Sequence, residues 1–287
     1  MIHSSPITFC ISTYNNLPYL KLAIKSVRKN SFYKDAPFII HAENCTDGTN
    51  EWLSQVKDEY NLTTIIEPNN EIVKGIGGGM NVCAEHVDTE YIMFLHSDFY
   101  VSKNWDSSLL KIFEKYPNEK IWTSSHRIEP RMFENSDSRP GTIIINKDIW
   151  GAYHTDFNPT GFEQFAKEFT EQNSEYEISK GEGVSGLIRK CDWDEIGGND
   201  PLFAPASWDD MDLFLRMTNS GFKFILTASS LVWHFGARGS HRLEENNGKT
   251  ADRQKRAEEK NIHIWLNKWH GLPKYNDVGM ITGILIN

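Results

Sequence analysis

The chain has only four cysteines, Cys10, Cys45, Cys83 and Cys191, and they are too far apart to form a CxxC pair. That spacing gives neither a zinc knuckle nor a disulfide framework, so a reduced, cytoplasmic protein is expected. Long apolar runs are missing too: none approaches the roughly 18 residues that would mark a membrane span. The opening MIHSSPITF has no basic stretch leading into an apolar one, so neither a leader nor an integral membrane segment is expected. Positive charge is scarce, with 30 Lys and Arg against 39 Asp and Glu and a net charge of −9. This balance argues against nonspecific nucleic-acid binding and fits a carboxylate-rich site that a cation would neutralise.

What is present is enough to bury a sizeable core. The 287 residues are 39% hydrophobic and include nine Trp, which suits one large domain or two small ones. Short apolar runs at 7–12, 37–42, 62–67 and 91–95 alternate with helical patterns at 17–29, 75–87 and 105–116. A further helix passes through Glu51, Trp52, Leu53 and Val56 after a Thr46-Asp47 start signal. Such alternation predicts βαβ units and an α/β fold, with a mainly parallel sheet and helices on both faces. After a run at 121–125 the rhythm breaks. Residues 127–183 hold Pro130, Pro140 and Pro159 and one clear helical stretch, 162–171. Regularity returns with a strand at 184–189, a turn at Gly197 and Gly198, a helix at 209–220 and a strand at 222–232. The segment 244–268 is charged and helical in pattern, with Trp265 and Trp269 as anchors.

Open α/β sheets bind ligands beyond the carboxyl ends of their strands. Chemically capable groups fall at several such ends: Thr13, Tyr14 and Asn15, then Glu43 and Asn44, then His96, Ser97 and Asp98, and finally His234. Each has an ordinary reading beside the functional one. FLHSDFYV places an imidazole and a carboxylate two residues apart on one side of an extended chain, as a cation site needs, or it is a strand with a capping aspartate. SWDDMDLFLRM sets Asp209, Asp210 and Asp212 at a helix start. Acids cap helices well there, yet three in four residues repel one another and suit a tuned general base. His234 closes an apolar run ahead of the basic loop GARGSHR, whose Arg238 and His241 would suit phosphate. KGIGGGMN is neither a P-loop nor a dinucleotide fingerprint; it permits a close backbone approach to a ligand or serves as a flexible helix entry.

Taken in order, these segments resemble the inverting nucleotide-sugar glycosyltransferases of the family 2 type, which have the GT-A fold. ITFCISTYNN is similar to the family's first strand and nucleotide loop, and HAENCTDGT to its second-strand motif. KGIGGGMNVCAEHVDTEYIMFLHSDFYV resembles the helix that leads into the Asp-x-Asp strand. VSGLIRKCDWDEIGGNDPLF and WDDMDLFLRMTNSGFKF resemble the acceptor segment and the acidic helix. The resemblance implies a single GT-A catalytic domain over 1–243, with a nucleotide-binding half (1–126) and an acceptor half (127–243), and a helical tail over 244–287. It implies Asp98 and His234 as ligands of Mn2+ or Mg2+, Asp210 as general base, and Asp209 as its support or as a hold on the acceptor. Thr13, Asn15, Glu43, Lys74, Gly75, His96 and Ser97 would line the nucleotide pocket. Trp208, Trp150, Tyr153 and Gly186 would face the acceptor.

Two positions depart from the family pattern. His96 replaces the first Asp of Asp-x-Asp and would meet ribose or metal. Ala42 replaces the leading acid of the second-strand motif, leaving either Glu43 or no residue there to reach the base. The expected activity is metal-dependent transfer from a nucleotide-diphosphate sugar to a hydroxyl of a carbohydrate, lipid-linked or other acceptor, with inversion. A sugar nucleotidyltransferase is the second reading, although STYNNLPYL lacks that class's glycine-rich basic first loop. A non-catalytic carbohydrate-binding relic of the fold is the third.

Overall fold

The computed structural model describes residues 5–132, 137–181, 185–236 and 252–286. The first part of the chain folds as its rhythm predicts. Successive βαβ units are built from β1 (Ile7–Thr13), α1 (Leu17–Asn30), β2 (Phe38–Glu43), α2 (Thr49–Val56), β3 (Leu62–Glu67), α3 (Gly75–Ala84) and β4 (Tyr91–Leu95). Strands β3, β2, β1 and β4 lie side by side in that order, all parallel. Both β1 and β2 are buried almost throughout, as a sheet covered on both faces requires. Their side chains divide by alternation: Ile7, Phe9 and Ile11 join one core with α1, while Cys10 joins another with Met80 and Cys83 of α3. The buried stripe of α1, Leu20, Ala23, Ile24 and Val27, is worth about 1.5–3 kcal/mol for each large aliphatic residue taken from water.

The sheet continues as β4-β9-β6-β10-β5. Its later strands come from β5 (Phe99–Val101), α4 (Trp105–Lys115), β6 (Ile121–Pro130), β7 (Thr142–Ile145), α5 (Lys147–Trp150), α6 (Pro159–Asn173), β8 (Glu177–Ile178), β9 (Gly186–Arg189), α7 (Lys190–Ile196), α8 (Asp209–Asn219) and β10 (Lys223–His234). Strand β9 runs antiparallel to β4 and β6, whereas β6 and β10 are parallel to each other. Strand β6 therefore shares the direction of β4, and so does β10. Helix α9 (Asp252–Trp269) and the hairpin β11 (Leu272–Tyr275) and β12 (Ile281–Leu285) complete the described chain.

Three features differ from the sequence reading. Strand β6 runs five residues beyond 125, because its backbone keeps pairing there with β10 on one side and β7 on the other. Helix α7 fills the space between β9 and the Gly197 turn, where no helix was expected; left-handed Gly197 caps it. The tail is not helical throughout: Gly271, Pro273 and Gly279 stop α9 and set up the hairpin, whose β12 packs on α8. Val184, the first residue of the expected strand 184–189, lies outside the described residues.

Candidate active site

The carboxyl ends of β1, β2 and β4 form one edge of the sheet, and β10 ends on the same edge. Strand β5 turns back beside β10 and pairs His234 with Phe99 and Trp233 with Tyr100. That pairing carries His234 onto the His96-Ser97-Asp98 turn, and the Phe235 N–H donates to the Asp98 carbonyl at 3.2 Å. His96, Asp98 and His234 each offer a ligand atom, all lying within 4.8 Å of one another. Asp98 and His234 are buried, and His234 Nε2 sits 3.5 Å from Asp98 Oδ1. Two imidazoles and one carboxylate gathered on this scale suit a first-row divalent cation with positions left for other oxygens.

Glu129 of β6 is the residue here that the sequence did not reveal. His234 Nδ1 lies 2.7 Å from its Oε1, so the outer ring nitrogen is held by a carboxylate while Nε2 points at Asp98. A carboxylate behind a histidine fixes its tautomer and raises its basicity as a ligand. Burial alone would raise the Glu129 carboxyl, but the His234 hydrogen bond, with Arg127 and Arg139 nearby, outweighs it and holds the group down at about 2. The alternation Arg127, Ile128, Glu129 was the available signal, hidden because the strand's polar half gives no apolar run. Asn16, also unforeseen, donates from Nδ2 to Ser97 Oγ at 2.9 Å and ties the first loop to the His-Ser-Asp turn.

Asp209 and Asp210 open α8. Asp209 is buried and its Oδ2 has no hydrogen-bond partner among the described residues. Burial and the neighbouring Asp210 charge push its carboxyl up to about 7, while backbone N–H groups of Asp209, Asp210 and Ser207 pull less strongly the other way. Asp210 is half-buried, and its Oδ1 accepts from the Met211 N–H at 2.8 Å. Asp209 Oδ2 faces Gly77 in the first turns of α3, whose N-terminus is fixed at the end of β2, so the acid pair belongs to the same sheet edge. Asp212, the third acid, is fully buried and bonded to Arg216 Nε at 2.8 Å and to Trp269 Nε1 at 2.9 Å, which makes it a packing anchor.

Most of the expected nucleotide residues link loops together. Asn15 Oδ1 accepts from the Thr46 N–H at 2.6 Å. Glu43 does not point at open space: Oε1 accepts from Lys74 N (2.8 Å) and Asn70 Nδ2 (2.9 Å), and Oε2 from Gly75 N (2.9 Å). A buried carboxylate on the first amides of a helix is a dipole-favoured cap, and it occupies both oxygens. Lys74 Nζ pairs with Glu67, which that bond and His41 hold at about 2 against partial burial. Thr13 is buried at the end of β1. The glycine run is chiefly a packing device: a Cβ at Gly79 would overlap Ser12 Oγ on β1, so only glycine lets α3 lie this close to the sheet.

The expected acceptor residues separate. Gly186 is a packing position in β9, because a Cβ there would strike the Trp122 indole. Trp150 lies in an aromatic cluster, 5.0 Å from Phe165 and 5.8 Å from Trp233, with part of its surface open. It helps line a hollow of about 320 Å3 together with Lys147, Asp148, Ile149, Tyr153 and Asn158. Trp208 stands beside the acid pair against Trp265, ring centroids 5.4 Å apart. Arg238 and His241 lie outside the described residues.

The mainly parallel sheet with helices on both faces is the GT-A fold of glycosyltransferases. The chain belongs to glycosyl transferase family 2, whose family model matches residues 8–176. Solved structures share the fold. GalNAc-T7 with UDP, GalNAc and Mn2+ aligns with a TM-score of 0.59 at 15% identity over 82% of this chain and 44% of its own. S. aureus TarS aligns at 0.52 with 12% identity over 79% and 36%. TarS 1-349 in complex with UDP-GlcNAc aligns at 0.51 with 12% identity over 80% and 60%. The chain thus spans 36% to 60% of the length of these three structures. No curated protein sequence matches it. Among the described residues, no helix is long and apolar enough to cross a membrane.

Proposed function

We propose that the chain transfers a glycosyl group from a nucleotide-diphosphate sugar to an acceptor hydroxyl, with inversion, and that it depends on a divalent cation held by His96, Asp98 and His234. The gathering of those three ligand atoms within 4.8 Å, on the sheet edge that also carries the acid pair, is the observation that supports this most. Bound there, the cation would neutralise charge on the departing diphosphate. Asp210, half-buried at the start of α8, takes the proton of the acceptor hydroxyl. The acceptor oxygen then bonds to the anomeric carbon as the bond to the diphosphate oxygen breaks on the opposite face. Asp209 sits behind Asp210 and limits negative charge in the pair by holding its own proton near neutral pH. Glu129 keeps the His234 ring turned so that Nε2 faces the cation site.

Imidazole ligands suit Mg2+ poorly and a carboxylate suits Mn2+, so the mixed set favours Mn2+ over Mg2+. The UDP-bound neighbours make a uridine nucleotide the first donor to test. The hollow around Trp150 and Tyr153 is the acceptor-side surface: an aromatic wall with acid and amide groups suits a sugar ring. The deciding experiment is release of nucleotide from a panel of UDP-, GDP-, CDP- and dTDP-sugars with Mn2+ or Mg2+. Release from one donor class, stronger with Mn2+ and lost in Asp98→Ala and His234→Ala, is expected. Full release by both variants, or with a chelator present, overturns the metal assignment.

A further inference from the structure

The acid pair is held from outside the region that matches the family. Ser207 and Trp208, the two residues before Asp209, have φ of +74° and +69°. Side chains other than glycine seldom occupy this left-handed region, and they persist there only when surrounding contacts over-determine them. One face of α9 supplies those contacts. Gln254, Ala257, Asn261 and Trp265 recur every three or four residues and are buried, and Gln254, Asn261 and Trp265 meet the loop directly.

Asn261 is fully buried. Its Nδ2 faces three carbonyls of the loop: Phe203 at 2.6 Å, Ala206 at 3.0 Å and Ser207 at 2.9 Å. Gln254 Nε2 donates to Ser207 Oγ, and Lys260 Nζ to the Ala204 carbonyl at 2.8 Å. Lys268 Nζ bridges Asp200 and Asp212, each at 2.7 Å, and so ties the approach to the loop to the helix that follows it. Carbonyls of an irregular buried segment need donors, and the two N–H groups of a single carboxamide are shared among three of them at the left-handed turn.

We propose that Asn261, supported by Gln254, is a positioning residue for glycosyl transfer: its carboxamide holds the left-handed turn at Ser207 and Trp208 that sets where Asp209 and Asp210 stand. This rests on the acid pair being the base of the reaction. Every residue of the clamp, like the acid pair itself, lies beyond the matched span 8–176.

The test uses the full chain and three variants, Asn261→Ala, Asn261→Ser and Gln254→Ala, with Asp210→Asn as control. Hydrogen exchange at amides 207–211 reads the turn directly and needs no activity. Asn261→Ala is expected to speed that exchange at least about 10-fold while strands β1 to β4 stay protected. It should also lower turnover on the best donor by roughly 10- to 100-fold, as expected for a displaced catalytic group, with donor KM changed less than about 2-fold. The pH profile of turnover should move, and Asn261→Ser, which restores one donor, should recover part of the rate. If Asn261→Ala does not fold, Gln254→Ala must show the same pattern at smaller amplitude. Unchanged exchange overturns the clamp; faster exchange with unchanged turnover overturns its role in the reaction. If Asp210→Asn keeps full rate, the acid-pair reading fails instead, and the exchange result still reports whether Asn261 holds the turn.

Discussion

Two carboxyl groups are withdrawn from water on one sheet edge and are shifted in opposite directions. Glu129 is held down at about 2 because His234 lies 2.7 Å away and Arg127 and Arg139 stand near. Asp209 is pushed up to about 7 by burial and by the charge of a neighbouring acid, Asp210. Burial alone would raise both, so the partner decides. The difference assigns work: a carboxylate locked in its ionised form suits the holding of a metal ligand, and a carboxyl that titrates near neutral pH beside a second acid suits a proton-transfer site.

The largest effect expected from breaking this contrast lies on the acid pair. Asp210→Asn removes the proton acceptor while preserving shape, and turnover should fall by about 10²- to 10⁴-fold. Binding of Mn2+ and UDP, measured by calorimetry, should stay close to the unsubstituted value. A variant that binds and also turns over normally would move the base elsewhere.

The next effect falls on Glu129. Glu129→Gln keeps a hydrogen-bond acceptor for His234 but removes the charge, and a lost outer-shell carboxylate typically costs 10- to 100-fold in metal affinity. Titration of Mn2+ in the presence of UDP reads this. Unchanged affinity would mean that His234 needs no second carboxylate to present Nε2.

The two regions were unequally legible in the sequence. The parallel half could be read because each strand there is buried on both faces and each helix carries one apolar stripe, so local pattern and fold agree. Asp98 and His234 could be read because each ends an apolar run. Glu129 could not, since a charged residue in a central strand makes sense only once its partner, 105 positions later, is known. Asn261 was hidden for the same reason: its value comes from three carbonyls more than 50 residues away in the chain. Glu43 was legible as a polar group at a strand end, but only the fold could show that its two oxygens cap α3. The hairpin after α9 was signalled by Gly271, Pro273 and Gly279, although charge and helical period dominated the reading of that segment.

The smallest effect is on stability, and its sign separates the two carboxylates. The unfolded Asp209 carboxyl ionises near its ordinary 3.8, whereas the folded one keeps its proton up to about 7. Between those values the native state binds more protons than the unfolded chain, so stability falls as pH rises. The contribution is complete below about pH 4 and gone above about pH 7. A tenfold difference in proton affinity between the folded and unfolded chain is worth about 1.4 kcal/mol. Sharing of the proton with Asp210 reduces the sum, so a loss of roughly 1–3 kcal/mol is expected across that window. Asp209→Asn cannot ionise and should not show this loss. Urea unfolding of both proteins at pH 5, 6, 7 and 8 gives the difference directly. The unsubstituted chain should lose ground to Asp209→Asn at each step up to neutral pH; parallel curves would mean that Asp209 is already ionised in the folded chain and that the acid pair carries two charges.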